Sequence, residues 1–240
     1  MKIVTWNVLH RIHAERHTEQ AIERWPNEAE RVSGVVSLIA NALQHEGVEV
    51  VLLQEVSGDV LAALRATLTE LSVLDHCYPR VPRQKRPTLV DPHEHLVVIA
   101  SAGAKIVRTH TFDNDPGKGF LKVLLPTGLT VASTHVTWGE QGLPQFALLS
   151  RQLADAPSPF CLGGDFNAER AVVTQAVGNE VALSVLPDGS PRTRPQAKKN
   201  GGTDIDHLLA RHATLQDARV LDEGELSDHR PVLATLSFGA

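Results

Sequence analysis

The sequence predicts an α/β protein with mixed β-sheets, and three observations carry this prediction. Apolar runs typical of buried strands alternate with amphipathic helices in the first half of the 240-residue chain. In the second half, strand-like runs follow one another in pairs, which indicates mixed rather than purely parallel sheets. No change in composition marks a domain boundary, and we therefore expect a single domain over residues 1–240.

The composition is that of an ordinary globular protein. Hydrophobic residues make up 42% of the chain and charged residues 21%, and the formal net charge is -5. This acidic balance does not indicate a nucleic-acid binder.

The two cysteines, Cys77 and Cys161, argue against a disulfide framework and favour a reducing compartment. No apolar run approaches the roughly 18 residues of a membrane span, and no signal peptide is apparent. We therefore expect a cytoplasmic protein without a membrane span.

The chain begins with a predicted strand over residues 3–8, which carries β-branched and aromatic residues and includes Asn7. The clearest predicted helix covers residues 26–45, where valine, isoleucine and leucine recur at helical spacing. Pro26 suits the first turn of this helix, and Gly47 suits its end.

A nearly continuous apolar strand is predicted over residues 48–56, and an amphipathic helix over residues 59–71. Glu55 stands where the buried strand emerges. A carboxylate there is costly unless it is paired or bound to a cation, which makes Glu55 a candidate ligand for a hard metal ion. The alternative is an acid that caps a helix or forms a salt bridge.

Three histidines, His10, His13 and His17, recur at spacings that would place them on one face of a helix. A three-histidine metal site is conceivable. The surrounding arginines and acids are instead typical of a solvated loop or a fraying helix, and contact with substrate is the better hypothesis.

Residues 72–93 have no hydrophobic periodicity and contain four prolines, so we predict a long loop. Loops of this length in compact domains are usually functional or mobile. The cations of this loop could meet phosphate, although a run of charges is more often a solvated surface. These cations are Arg80, Arg83, Lys85 and Arg86.

The remaining predicted strands cover residues 95–100, 105–112, 119–125, 129–135, 203–209 and 232–238, and further helices are expected at residues 144–153 and from residue 168 onward. His135 stands at the end of one of these strands. A single histidine in that position is usually structural, but several polar residues at successive strand ends are harder to explain by structure alone.

A short apolar strand at residues 159–162 is followed by two glycines and then by Asp165 and Asn167. On an extended backbone, side chains two residues apart project to the same face. The pair would then lie at the carboxyl end of a strand, where open α/β sheets place their ligands. The alternative is a strand that ends in an Asx turn.

The last third of the chain supplies further charged residues. A loop over residues 187–202 carries Arg192, Arg194, Lys198 and Lys199. Asp206 follows it within an apolar strand, where we expect a buried partner. Asp228 and His229, just before the closing strand, provide a ligand and a base side by side.

The candidate site residues are therefore oxygen and nitrogen donors without a thiol. Such a set favours Mg²⁺, Mn²⁺ or Ca²⁺ over zinc. The amides and the two histidines suit a phosphate ester, whose developing charge requires donors and a cation. The set comprises Asn7, Glu55, His135, Asp165, Asn167, Asp206, Asp228 and His229.

Six short motifs occur in an order that resembles the endonuclease/exonuclease/phosphatase superfamily, which includes enzymes like DNase I and exonuclease III. The motifs are Thr5-Trp6-Asn7, Leu53-Gln54-Glu55, Ser133-Thr134-His135, Gly164-Asp165-Phe166-Asn167, Ile205-Asp206-His207 and Ser227-Asp228-His229-Arg230-Pro231-Val232. Each motif alone is weak, but six in the family order are specific. The resemblance implies a four-layer α/β sandwich in which two mixed β-sheets are flanked by helices.

The resemblance also implies a role for each residue, with Mg²⁺ or Mn²⁺ as the cofactor. The implied metal ligands are Glu55, Asp228 and Asn7. The implied catalytic residues are His229, the Asp206 that holds its ring, the Asp165 and Asn167 that orient water and phosphate, and His135. The implied substrate-binding residues are Asn7, Asn167 and His135.

The sequence departs from the family pattern in two places. Many members carry a serine–arginine pair after the central strand, whereas Ser101 is followed here by Ala102. Apurinic endonucleases use a tyrosine in the middle of the chain, whereas the only tyrosine here, Tyr78, lies in the predicted arginine-rich loop. The second departure argues against cleavage at abasic sites.

We therefore expect a metal-dependent phosphoesterase that uses in-line attack by water on a phosphodiester or phosphomonoester. The first hypothesis is nuclease-type activity on a nucleic acid or nucleotide, which the local basic loops favour. The alternative is a phosphatase or phosphodiesterase for a small or lipid-derived phosphate, which the acidic net charge and the 4% aromatic content favour. A remote alternative is a catalytically idle binding module. The oligomeric state stays open.

Overall fold

The computed structural model describes residues 1–156, 159–178, 181–195 and 201–238. The described strands are β1 (Lys2–Asn7), β2 (Val48–Ser57), β3 (Leu71–Cys77), β4 (Glu94–Ser101), β5 (Lys105–Phe112), β6 (Asp115–Leu124), β7 (Thr130–His135), β8 (Phe160–Asp165), β9 (Ala182–Leu183), β10 (Asp206–Arg211), β11 (Thr214–Val220) and β12 (Val232–Ser237). The described helices are α1 (Arg11–His17), α2 (Gln20–Arg24), α3 (Glu28–His45), α4 (Gly58–Thr67), α5 (Leu143–Ala154) and α6 (Arg170–Val177), and a 3₁₀ turn covers Gly139–Gly142.

The strands form two six-stranded sheets, and both sheets are mixed. The first has the order β11-β12-β1-β2-β4-β3, and the second has the order β5-β6-β7-β8-β10-β9. The only parallel pairs among the described strands are β1 with β2 and β7 with β8. Each parallel pair is joined by a segment that contains a helix, as parallel connections require.

The two sheets pack face to face, and helices cover the outer face of each sheet. Ile3, Leu52 and Val98 of the first sheet share one buried cluster with Val131 and Leu208 of the second. Helices α3 and α4 bury their apolar faces against the first sheet, and α5 and α6 do so against the second. The predicted four-layer α/β sandwich is confirmed.

Two glycines let the centre of β8 fit between its neighbours. A Cβ atom on Gly163 would lie 2.6 Å from Leu208 of β10 and 2.7 Å from Leu52 of the facing sheet. A Cβ atom on Gly164 would lie 2.0 Å from the Thr134 carbonyl oxygen on β7. The glycine pair thus allows β8 to lie close to both sheets immediately before Asp165.

The structure differs from the predicted elements in several places. Residues 71–77 form the edge strand β3 rather than the start of a loop, and α4 ends at Thr67. Pro26 lies outside α3, whose N-terminus is capped by the Asn27 side chain. The segment predicted as solvated around His13 is the partly buried helix α1, and β11 was not predicted.

The expectation for Lys198 and Lys199 lies outside the described residues. Within the described ranges, no helix has both the length and the apolar character needed to cross a membrane.

Candidate active site

The strand register brings several predicted site residues to one edge of the sandwich. In the second sheet, His135 at the end of β7 lies opposite Asp165 at the end of β8. Asp206 at the start of β10 lies opposite the same Asp165. In the first sheet, β1 and β2 run parallel and end side by side, which brings Asn7 near Glu55. The site therefore lies at the carboxyl ends of both parallel pairs.

Glu55 reaches the site because β2 bulges at this residue. The pairing of β2 with β4 shifts register between Leu53 and Val56, and Glu55 has a φ of 56°. Bulges of this kind redirect a side chain and are common beside active sites. The carboxylate accepts hydrogen bonds from the His10 backbone N–H at 3.0 Å and the Asn7 amide at 3.2 Å.

The charge of Glu55 is set by its neighbours. His13 Nδ1 lies 3.1 Å from the Glu55 carboxylate. Burial raises the pKa of Glu55, but the charge and hydrogen bond of His13, with His135 and Lys118, hold the pKa well below its usual range. Glu55 is therefore ionised near neutral pH.

Asp165 contacts an amide and two histidines of the site. Its Oδ2 atom accepts a hydrogen bond from Asn7 Nδ2 at 3.0 Å and lies 3.3 Å from His135 Nε2. Burial raises the pKa of Asp165, but His229 and His135 hold the pKa well below its usual range. Asp165 is therefore an anion throughout the physiological pH range.

Asn167 reaches the site by a different route from the predicted one. Its backbone is left-handed, with a φ of 48°, and its N–H donates to Asp165 Oδ1 at 2.8 Å. The strand thus ends in an Asx turn, and the prediction that both side chains project from one extended strand was wrong. The Asn167 amide still enters the cleft, where it donates to the Val136 carbonyl at 2.9 Å and lies 3.4 Å from His135.

His229 and Asp206 form a buried pair. His229 Nδ1 lies 2.9 Å from Asp206 Oδ2 and 3.1 Å from Oδ1. The Nε2 atom lies 3.8 Å from Asp165. Burial lowers the pKa of His229, but Asp206, Asp228 and Asp165 outweigh burial and raise the pKa to about 10.

The backbone around His229 is held by the distant Trp6 side chain of β1 and by the nearby Ser227 hydroxyl. The Trp6 indole donates to the His229 carbonyl at 2.9 Å, and Ser227 Oγ accepts from the His229 N–H at 3.1 Å. The same hydroxyl donates to the Asn7 carbonyl at 2.7 Å. The end of β1 and the segment before β12 are thereby joined at the site.

Asp228 forms an ion pair with Arg194, a contact that was not predicted from the sequence. Its Oδ2 atom accepts from Arg194 Nε at 3.2 Å and Nη2 at 3.0 Å. Arg194 also lies 3.6 Å from Glu19. The second oxygen, Asp228 Oδ1, is buried and has no hydrogen-bond partner in the described part of the chain.

The donors present fit a divalent cation. One ligand atom each from Asp165, Asp206 and His229 lies within 4.8 Å of the others, and the unpartnered Asp228 Oδ1 adds an oxygen that lacks a donor. The donors are carboxylate oxygens and imidazole nitrogens, which suit a hard or borderline metal ion. Because Asp206 is hydrogen-bonded to His229, this pair is better suited to hold a proton, which leaves Glu55, Asp165 and Asp228 as the carboxylates available to a cation.

Sequence reasoning missed two residues, Lys118 in the cleft and the buried Glu94. Lys118 Nζ donates to the His135 ring, with Nε2 at 2.5 Å and Nδ1 at 3.0 Å, and among the described residues no carboxylate pairs with it. Glu94 is fully buried, and its nearest cations are His13 at 3.5 Å and Arg80 at 4.0 Å. The register of β6 with β7 places Gly119 opposite His135, and Lys118 directly precedes Gly119. Without this register, the sequence does not indicate that Lys118 is near His135.

The cleft has a volume of about 480 Å³. His13 and His17 line it, and His10 does not: the His10 ring is buried and accepts a hydrogen bond from the Ile12 N–H at 3.3 Å. The three histidines therefore do not form a shared metal site. The cleft otherwise combines anionic residues at its floor with arginines at its walls.

A four-layer sandwich with paired carboxylates, amides and histidines at the strand ends defines a hydrolase that acts on phosphate esters. The chain belongs to the endonuclease/exonuclease/phosphatase family, whose sequence profile matches residues 4–229. A comparison with curated protein sequences finds no significant match.

Solved structures with the same fold cover almost the whole chain. TDP2 of D. rerio, complexed with a single-strand DNA product, superposes with a TM-score of 0.69 at 15% identity over 99% of this chain and 98% of that one. A mannosyl-6-phosphatase of Bacteroides thetaiotaomicron VPI-5482 gives 0.66 at 14% identity over 99% and 100%. A functionally unknown conserved protein of Enterococcus faecalis V583 gives 0.67 at 20% identity over 100% of both chains. At these identities the likeness shows the fold.

Proposed function

We propose that this protein is a divalent-metal-dependent phosphoesterase that uses in-line attack by water, with nuclease-type activity on a nucleic acid or nucleotide. The observation that carries the proposal is the buried His229–Asp206 pair, whose free ring nitrogen faces Asp165 at 3.8 Å. This arrangement supports acid–base and electrostatic roles on either side of a phosphoryl group.

The contacts support a division of roles among the residues of the cleft floor. Asp165 is ionised and orients the attacking water. The Asn7 and Asn167 amides and the His135 ring position the phosphoryl oxygens. Asp206 holds the His229 ring so that its Nε2 faces the reacting group. Because no side chain is needed as a nucleophile, we expect no covalent intermediate.

We assign the metal to Glu55, Asp228 and Asn7, and we expect Mg²⁺ or Mn²⁺ from the oxygen donors. The bulge that turns Glu55 inward and the unpartnered Asp228 Oδ1 support this assignment. When bound, a divalent cation would offset charge on the phosphoryl oxygens and the leaving group.

Cations in the cleft support a nucleic acid or nucleotide as the substrate. Arg16, Arg80, Arg83, Lys118 and Arg194 line the walls, and the fold is shared with a TDP2 that is bound to a single-strand DNA product. A small phosphomonoester is the second candidate, because a cleft of about 480 Å³ is also sized for a small ligand and the fold is shared with a mannosyl-6-phosphatase.

We also propose that residues 1–240 form a single domain that acts in the cytoplasm. Cys77, which is exposed, and Cys161, which is buried, are free thiols. Free thiols of this kind suit a reducing compartment.

The test is hydrolysis of single-stranded DNA, RNA, plasmid, bis-p-nitrophenyl phosphate and p-nitrophenyl phosphate with Mg²⁺, with Mn²⁺ and with EDTA. We expect cleavage of the diesters with metal and none with EDTA. Hydrolysis of the monoester alone would favour the second candidate. No hydrolysis of any ester would refute the proposed activity.

Three variants test the roles. His229→Ala and Asp165→Asn should lower turnover by roughly 10²–10⁴-fold, as loss of a catalytic acid or base does. Glu55→Gln should raise the metal concentration needed for half-maximal activity and weaken Mn²⁺ binding measured by calorimetry. The exposed His45, in the last turn of α3, provides the matched control His45→Ala, which should behave as the wild type.

A further inference from the structure

The cleft continues into a second cavity that the proposed chemistry does not use. This second cavity has a volume of about 430 Å³ and lies between α1 and the loop over residues 78–93. Ile12, Arg16 and Arg83 line both cavities, so the two are contiguous. The second cavity is completed by Glu15, Gln84 and Lys85.

The charges of the second cavity are unbalanced. Its one described acid, Glu15, is neutralised by Arg11 at 3.0 Å. No carboxylate in the described part of the chain pairs with Arg16, Arg83 or Lys85, all of which are exposed. The neighbouring Arg80, by contrast, is held by Asp115 at 3.2 Å. The second cavity therefore presents three cations without an internal counter-charge.

The loop that carries two of these cations is held in place by hydrogen bonds. The Gln84 side chain accepts from the Leu89 N–H at 3.0 Å and donates to the Leu89 carbonyl at 3.2 Å. Asp59 accepts from the Val90 and Asp91 N–H groups at 3.0 and 2.8 Å. These hydrogen bonds hold the segment that carries Arg83 and Lys85 against the rest of the protein.

We propose that the second cavity is a subsite for a phosphate group that neighbours the scissile one, and that the ligand is a single strand of nucleic acid. This inference rests on the proposed function, since it extends the same cleft. A monoester with a single phosphate has no second anion to place there, whereas a strand offers one anion to each cavity. Among the described residues, no Trp, Tyr or Phe lines either cavity, so the contacts that these cavities offer a strand are with its phosphates.

The test measures binding apart from catalysis. Fluorescein-labelled oligothymidylates, from the dinucleotide to the dodecamer, are titrated with full-length protein in EDTA and followed by anisotropy at several salt concentrations. Affinity should rise with length until both cavities are filled. The double variant Arg83→Ala/Lys85→Ala should bind the dodecamer about tenfold more weakly, and its salt slope should fall by about 0.7 for each phosphate contact that is lost. On a cleavable strand, the variant should raise KM more than it lowers kcat.

Two matched comparisons make the outcome decisive. Lys105→Ala/Arg151→Ala removes two exposed cations that line neither cavity and should leave the length dependence and salt slope unchanged. Equal binding by the wild type and the Arg83/Lys85 variant would overturn the subsite, as would tighter binding of duplex than of single strand. If the wild type still hydrolyses bis-p-nitrophenyl phosphate in that case, the proposed activity stands without the subsite.

Discussion

His229 is near three carboxylates, and their charge bears on the role that we propose for it. A general base must be neutral to accept a proton, and a histidine of ordinary pKa would be largely neutral near pH 7. With its pKa raised to about 10, the His229 ring carries both protons near neutral pH. The Nε2–H group is then a donor, suited to a phosphoryl or leaving oxygen. In the function that we propose, the ionised Asp165, 3.8 Å away, is the acceptor that remains for the water.

Tyr78 is the only tyrosine of the chain, and a variant can test whether it takes part in catalysis as the tyrosine of apurinic endonucleases does. Its hydroxyl is buried and has no hydrogen-bond partner among the described residues, and burial raises its pKa well above the usual range. Tyr78→Phe removes this hydroxyl without changing the packed ring. The free energy of unfolding, measured by thermal denaturation, should be unchanged or higher by up to about 1 kcal/mol, because an unsatisfied buried polar group is costly. Phosphodiester hydrolysis should be unchanged, and a large loss of turnover would instead give Tyr78 a catalytic role.

The sequence indicates eight candidate residues, but it could not indicate their contacts. Charged side chains in this cleft find partners far along the chain: Arg194 and Asp228 are 34 residues apart, and His13 and Glu55 are 42 apart. No local pattern encodes such a pair. Lys118, which contacts His135 from the neighbouring strand, was missed for the same reason.

At the scale of the elements, hydrophobic periodicity could not predict two backbone features at the site. Glu55 and Asn167 both have a positive φ, which is uncommon for residues other than glycine. Hydrophobic alternation locates β2 and β8 but cannot indicate that β2 bulges or that β8 ends in an Asx turn. The edge strand β3 was missed because its residues are only half-buried and show no clear alternation.

The edge strand β3 should make the stability of the protein sensitive to acid. Asp75 on β3 lies 2.8 Å from His95 Nδ1 and 2.6 Å from Arg65. The His95 hydrogen bond, opposed by burial and aided by Arg65, lowers the pKa of Asp75 below the ordinary 3.8. Because the folded pKa is depressed, the stabilisation is present above the unfolded pKa and is lost as pH falls through the folded pKa.

Asp75→Asn should therefore lower the free energy of unfolding by about 0.5–1 kcal/mol near neutral pH, a value limited by solvent screening at this partly exposed site. The difference from the wild type should shrink as the pH falls below the unfolded pKa. Urea unfolding across this pH range measures it. The control Asp113→Asn removes an exposed acid and should show no such trend; a pH-independent difference for Asp75→Asn would contradict the assignment.

At the scale of the whole molecule, the sandwich brings one segment from near each end of the chain to the cleft. Strand β1 lies between β2 and β12 in the first sheet, so the residues after Asn7 meet the segment before β12. The resemblance to a known family predicted this architecture, because the order of the six motifs fixes the order of the strands. Periodicity alone gave mixed sheets and left the number of layers open.

Arg31 joins these distant segments from inside the protein. It lies on α3 with 1% of its surface exposed and forms an ion pair with Glu28 at 2.6 Å. Its guanidinium donates to the carbonyl oxygens of Val8 at 2.8 Å, Leu9 at 2.9 Å and Leu226 at 2.9 Å. One side chain thus fixes the chain just after Asn7 and just before Asp228.

Arg31→Met should lower the free energy of unfolding by about 3–5 kcal/mol, because it leaves Glu28 without this buried partner and three carbonyls without a donor. Arg31→Lys should recover only part of the loss, since an ammonium cannot reproduce the geometry of the guanidinium. The control Arg65→Met breaks a half-exposed pair and should change stability by less than about 1 kcal/mol.

Urea unfolding gives the free energies, and phosphodiester hydrolysis below the unfolding transition gives the effect on the cleft. If Arg31→Met unfolds like Arg65→Met, or if it is destabilised with unchanged turnover, then Arg31 does not align the two segments that carry Asn7 and Asp228.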